Sequence, residues 1–76
     1  MVQEKLKEIF REVFADDQLE IKMESSPDDI PDWDSLSQVT LVEEAEKAFG
    51  IQIPLDDVFK IKTFGDFVQI IENCMK

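Results

Sequence analysis

The chain has 76 residues, 18 of them acidic and 8 basic, for a formal charge of -10, and it contains no histidine and no tyrosine. A chain this short is expected to fold as one domain, residues 1–76, around one small core. Its charge repels nucleic acid and anionic membrane and attracts basic protein surfaces, and the missing histidine removes the commonest acid–base residue and metal ligand.

The first element is an amphipathic helix. Val2, Leu6, Ile9, Phe10, Val13 and Phe14 recur at spacings of three and four, which predicts a helix ending near Ala15. Residues 16–34 have no sustained period and contain Pro27 and Pro31, so they read as a long loop pinned by Leu19, Ile21, Ile30 and Trp33. A loop of this length in so small a domain points to function or disorder. A second helix is expected from about Ser35, with Leu36, Val39, Val42, Ala45 and Phe49 on its inner face and Gly50 at its C-terminal end. Ile51 to Pro54 reads as an extended connector. Leu55 to Lys60 reads as about one turn of helix, with Val58 and Phe59 turned inward. The last helix opens at Thr63, where Thr63 and Asp66 have the spacing of a capping box, and it buries Phe64, Phe67, Val68, Ile71, Cys74 and Met75. No segment alternates like a strand. The expected fold is all-α, a small bundle of three main helices and one short helix, with the long loop between the first and second.

The acidic residues are concentrated. Between Asp28 and Asp57 lie nine acids and a single base, Lys47. Asp28, Asp29, Asp32 and Asp34 lack the spacing and the glycine of a calcium loop, so no dedicated metal site is expected. Cys74 falls on the apolar stripe of the last helix and reads as a packed thiol. A single cysteine also fits a reducing cytoplasm. No stretch is long and apolar enough to cross a membrane, and "MVQEKLKEIF" lacks the apolar block of a signal peptide.

Within this acidic window the stretch "DWDSLSQVTL" sets a serine at a helix start. Ser35-Leu36-Ser37-Gln38 has the S-x-x-Q form of a capping box, so Ser35 reads well as a cap. Asp34 caps equally well with its own carboxylate, which leaves the Ser35 hydroxyl free. A serine nucleophile needs an adjacent base, and the sequence near Ser35 offers only Asp32, Asp34 and Gln38, so a self-sufficient hydrolase is not expected.

The longer stretch "DSLSQVTLVEEAEKAFGIQIP" resembles the signature of the acyl carrier proteins and of the related peptidyl and aryl carrier domains. The Asp34-Ser35-Leu36 triplet opens the second helix, and Glu46 through Phe49-Gly50-Ile51-Gln52-Ile53-Pro54 closes it. The resemblance covers essentially the whole chain. It implies a non-catalytic carrier whose 4'-phosphopantetheine arm, taken from coenzyme A by a magnesium-dependent phosphopantetheinyl transferase, is esterified to Ser35. Asp34 would precede the attachment point, and Leu36 would be gripped by partner enzymes. The arm would hold acyl, aminoacyl or polyketide intermediates as thioesters. Implied partners are that transferase, a loading ligase or acyltransferase, and downstream synthases or transferases with basic docking patches. A monomer is expected, with Trp33, Val39, Glu43, Glu46, Asp56 and Asp57 as candidate recognition residues. Family members also shelter short acyl chains in the core, for which Leu41, Val42, Ile51, Ile53, Val58, Phe59 and Phe67 are candidate lining residues.

The chain departs from the usual fatty-acid carrier pattern. Ser37 and Thr40 stand where acids are usual, Glu43 where an apolar residue is usual, and Lys47 at one of the late acidic positions. Trp33 gives the W-D-S-L variant of specialised carriers. These departures favour a dedicated pathway over bulk fatty-acid synthesis. The alternative is a carrier-like acidic interaction module that is never modified and uses Ser35 only as a cap.

Overall fold

The computed structural model describes residues 2–75. Its elements are α1 (Val2–Val13), α2 (Ser35–Phe49), α3 (Leu55–Val58) and α4 (Phe64–Cys74), with no strand among the described residues. This is the expected all-α bundle of three main helices and one short one. Helix α1 packs against α2 and α4, and α3 rests on α2.

Periodicity places Leu6, Ile9 and Phe10 of α1 in the core, where Phe10 is the hub. Its ring meets Trp33, Phe64, Phe14 and Phe67 edge-on, at centroid distances of 5.1, 5.3, 5.8 and 5.9 Å. Edge-to-face packing sets the positive ring edge against the negative face and adds to the burial of these large side chains. Helix α1 ends sooner than its apolar stripe suggests. Ala15 adopts a left-handed conformation (φ 53°), and Asp16 N–H reaches back to the Arg11 carbonyl, closing a Schellman-type end.

The long loop is fixed by α4. Thr63 caps that helix: its hydroxyl accepts from Asp66 N–H, and the Asp66 carboxylate accepts from Thr63 N–H. The next free donors are taken by the loop, since Phe64 N–H and Gly65 N–H each donate to a loop carbonyl, of Ser25 and Met23, at 2.8 Å. A helix start has unsatisfied donors by construction, and here the loop supplies the acceptors. Ile21, Ile30 and Trp33 then anchor the rest of the loop in the core, which delivers the chain to the start of α2.

Three expectations about faces are corrected. Leu36 and Val39 are exposed rather than inward, because the buried stripe of α2 runs through Leu41, Val42 and Ala45. Helix α3 stops at Val58, so only Val58 enters the core and Phe59 is 75% exposed. Met75 lies just past α4 and is exposed, while Cys74 is half-buried at the core margin.

Candidate functional site

The start of α2 shows which side chain caps the helix. Asp34 is the N-cap: its Oδ1 accepts from Ser37 N–H at 2.9 Å, and Ser37 Oγ accepts from Asp34 N–H at 2.8 Å. Ser37 Oγ also donates to the Asp32 carbonyl at 3.0 Å. The capping box is therefore Asp34 with Ser37, not Ser35 with Gln38. The hydrogen bond from Ser37 N–H holds the Asp34 carboxyl below its ordinary range. Ser35 is left as the first helical residue, exposed and free of capping duty.

An open apolar groove adjoins it. Pro27, Asp34, Ser35, Gln38, Val39, Leu55, Val58 and Phe59 line a space of about 420 Å³ between the start of α2 and α3. Val39, Leu55 and Phe59 of this lining are exposed, and Leu36, 81% exposed on the first turn, lies outside the groove beside Asp34, Ser37 and Thr40. Large apolar side chains left in water beside one hydroxyl mark an interaction surface rather than a fold requirement. Glu43 on α2 and Asp56 on α3 are exposed, and Asp57 pairs with Lys60 at 3.6 Å.

Two candidate recognition residues make contacts within the fold. Trp33 is only 2% exposed, buried against Phe10, and so does not present a surface to a partner. Glu46 is half-buried, and its Oε2 accepts from Ile53 N–H at 2.8 Å, fastening the extended connector to α2. Val39, Glu43 and Asp56 are exposed, and Asp57 is half-buried. One residue of the site, Gln38, has a role other than the capping partner its spacing suggests. Gln38 accepts the Trp33 indole N–H at 3.0 Å through Oε1 and donates to the Val58 carbonyl at 2.8 Å through Nε2. No local pattern signals a side chain whose second partner lies 20 residues away.

The site fits a phosphopantetheine ester. It offers a primary alcohol open to a modifying enzyme, at a helix start whose dipole favours an anion. Its flanking carboxylates, Asp32 and Asp34, oppose a close grip on a phosphate, and the groove beside it has apolar walls for an arm to lie against.

Comparisons with known proteins agree. The family model described as phosphopantetheine attachment site matches residues 4–71. The chain is 44% identical to an acyl carrier protein of Acidothermus cellulolyticus over 68 residues, covering 90% of this chain and 81% of the relative. It is 40% identical to an acyl carrier protein of Clostridium acetobutylicum over 72 residues, covering 95% and 94%. The solution structure of a holo acyl carrier protein from Geobacter metallireducens superposes with a TM-score of 0.89 at 34% identity, covering 97% of this chain and 85% of that one. With its helical bundle, its exposed serine at the head of α2 and these relatives, the chain belongs to the acyl carrier protein family, whose members are not catalysts but carriers of acyl groups on covalently attached 4'-phosphopantetheine.

Proposed function

We propose that Ser35 is the attachment point of the arm and that the carrier serves a specialised biosynthetic pathway. The observation that carries the first part is the Asp34–Ser37 capping box, which relieves Ser35 of a structural role and leaves its hydroxyl in solvent. In the loading step, Ser35 Oγ attacks the phosphorus of coenzyme A that bears the pantetheine. One P–O bond forms to Ser35, the pyrophosphate P–O bond breaks, adenosine 3',5'-bisphosphate leaves, and the hydroxyl proton passes to a base on the transferase. Of the carboxylates flanking Ser35, Asp34 is engaged in the helix cap, and the transferase supplies the base. When bound, the group supplies a terminal thiol that holds acyl cargo as a thioester.

The surface around Ser35 supports short-lived encounters with several enzymes. Leu36, Val39, Leu55 and Phe59 offer an apolar contact, and Glu43, Asp56 and Asp57 offer charge to basic patches. Such a combination gives fast, salt-sensitive docking and ready release. We place among these partners a phosphopantetheinyl transferase, a loading ligase or acyltransferase, and downstream synthases, working with a monomer in the cytoplasm. No helix among the described residues is long and apolar enough to cross a membrane.

The specialised role is supported by the first turn of α2, which carries no acid: Ser37 is committed to the cap at a position where fatty-acid carriers usually have one. Tryptic mapping by tandem mass spectrometry tests the attachment point. Loading with coenzyme A and a broad-specificity transferase should place the added group on Ser35, and placement on Ser37 or any other serine would overturn it. A reconstituted bulk fatty-acid synthase tests the pathway: turnover with this carrier should fall below that with the synthase's own carrier, and equal turnover would contradict the specialised role.

A further inference from the structure

The groove beside Ser35 has a polar floor. Gln38 sits one helical turn beyond Ser35, on the same face of α2. Its amide joins two partners that are far apart in sequence: Trp33 Nε1–H donates to Oε1 at 3.0 Å, and Nε2 donates to the Val58 carbonyl at 2.8 Å. Val58 closes α3, a helix of four residues, and its carbonyl accepts Gln38 Nε2–H beside the longer turn bond from Ile61 N–H at 3.3 Å. Such a short helix has almost no internal bonding to hold it. Its place is set by the burial of Val58 and by this bond to Gln38. Beneath the amide lies the Trp33 indole, buried edge-on against Phe10 at 5.1 Å.

A chain tethered at Ser35 and threading between α2 and α3 toward the core therefore meets the Gln38 amide and then the Trp33 ring. Parting the helices there would break the Gln38–Val58 bond, while Trp33 stays paired with Gln38 on the α2 side, and would leave the Gln38 Nε2 amide facing hydrocarbon, an arrangement that folded proteins avoid. We propose that the Trp33–Gln38–Val58 strut bars the core to the arm's cargo, so that the cargo stays in the surface groove and the carrier suits short or polar acyl and aminoacyl groups over longer alkyl chains. This rests on Ser35 bearing the arm. Gln38 acts here as a positioning residue, with Trp33 and α3 as the parts it holds.

The test loads the carrier with octanoyl- or acetyl-phosphopantetheine, using the corresponding acyl-coenzyme A and a broad-specificity transferase, and confirms each product by intact mass. Isotope-filtered NMR then reads contacts from the octanoyl methylenes to Leu41 and Phe67. The wild type should show none, and its core methyl shifts should be the same in the octanoyl and acetyl forms. Gln38→Ala should show these contacts, and its octanoyl form should melt above its acetyl form, a difference missing in the wild type. Gln38→Met, which keeps the side-chain length but removes both hydrogen bonds, is the second variant in case the first does not fold. Octanoyl contacts to Leu41 or Phe67 in the wild type would overturn the proposal, as would variants that exclude the chain just as the wild type does. A failure to load is seen by mass before any spectrum and overturns the Ser35 reading on which the proposal stands.

Discussion

Helices α2 and α4 begin with the same device and end up doing different things. Each has a side-chain cap at N-cap and a reciprocal partner three residues on, Asp34 with Ser37 and Thr63 with Asp66. At α4 the next donors are filled by loop carbonyls, and the second helical residue, Gly65, lies against Met23. At α2 the second helical residue is Leu36, 81% exposed beside an exposed serine. A capping box fixes where a helix starts; tertiary packing decides whether that start becomes an anchor or an open site. One end of this molecule holds the long loop, and the other presents what the loop delivers.

The sharpest way to break this comparison is to substitute alanine at the second helical residue of each. A Cβ on Gly65 would stand 2.9 Å from the Met23 carbonyl oxygen, a backbone atom with little room to yield. Gly65→Ala should cost about 1–3 kcal/mol, in the range of overpacked sites, while Leu36→Ala should stay within about 0.5 kcal/mol. Urea denaturation of both variants checks this, and equal losses would mean that α4 is no more of an anchor than α2.

The comparison extends to the helix ends, with a smaller effect. Gly50 ends α2 at φ 65°, with nothing within 4 Å of where a Cβ would stand, while Ala15 takes a similar φ of 53° after α1. Gly50→Ala should lose about 1 kcal/mol through backbone conformation alone, and Ala15→Gly should gain about 0.5–1 kcal/mol once the extra freedom of the unfolded chain is discounted. Thermal melts of the pair should move in opposite directions; shifts of the same sign would contradict this account of both ends.

The smallest effect is electrostatic. The Asp34 carboxyl titrates below its ordinary value of 3.8 because Ser37 N–H donates to its ionised form. Its contribution to stability is therefore fully present above that ordinary value and is lost as pH falls through the lower, folded-state value. Asp34→Asn keeps an acceptor for Ser37 but does not titrate. On acidification the wild type should lose stability relative to Asp34→Asn, measured by denaturation at a series of pH values. A gap between the two that stays constant with pH would show that the cap does not depend on ionisation.

The architecture was legible in the sequence because its signals are local. The α1 stripe, Gly50 after Phe49 and the Thr63–Asp66 spacing each carry their own physical reason within a few residues. The faces were less legible. Leu36, Val39 and Phe59 are apolar yet exposed, which breaks the rule that apolar periodicity points inward. Violations of that rule concentrate where a surface has a use. Ser35 was ambiguous because two adjacent residues, Asp34 and Ser35, both have side chains able to cap; only the backbone conformation of Asp34 settles which does. Gln38 was legible only as a capping-box partner, since a glutamine three residues past Ser35 has no local feature announcing a carbonyl on α3. Trp33 gave an aromatic in a polar loop, and the Phe10 cluster that buries it is assembled from three separate parts of the chain.

The central claim, that Ser35 carries the arm while Asp34 and Ser37 hold the helix, is tested most directly by intact-protein mass. Wild type, Ser35→Ala and Ser37→Ala are each incubated with coenzyme A, magnesium and a broad-specificity phosphopantetheinyl transferase. Wild type and Ser37→Ala should each gain one phosphopantetheine group, Ser35→Ala should gain none, and only Ser37→Ala should melt lower than wild type. A mass gain in Ser35→Ala, or none in wild type beside an active control carrier, would contradict the account and return Ser35 to the role of an ordinary surface serine.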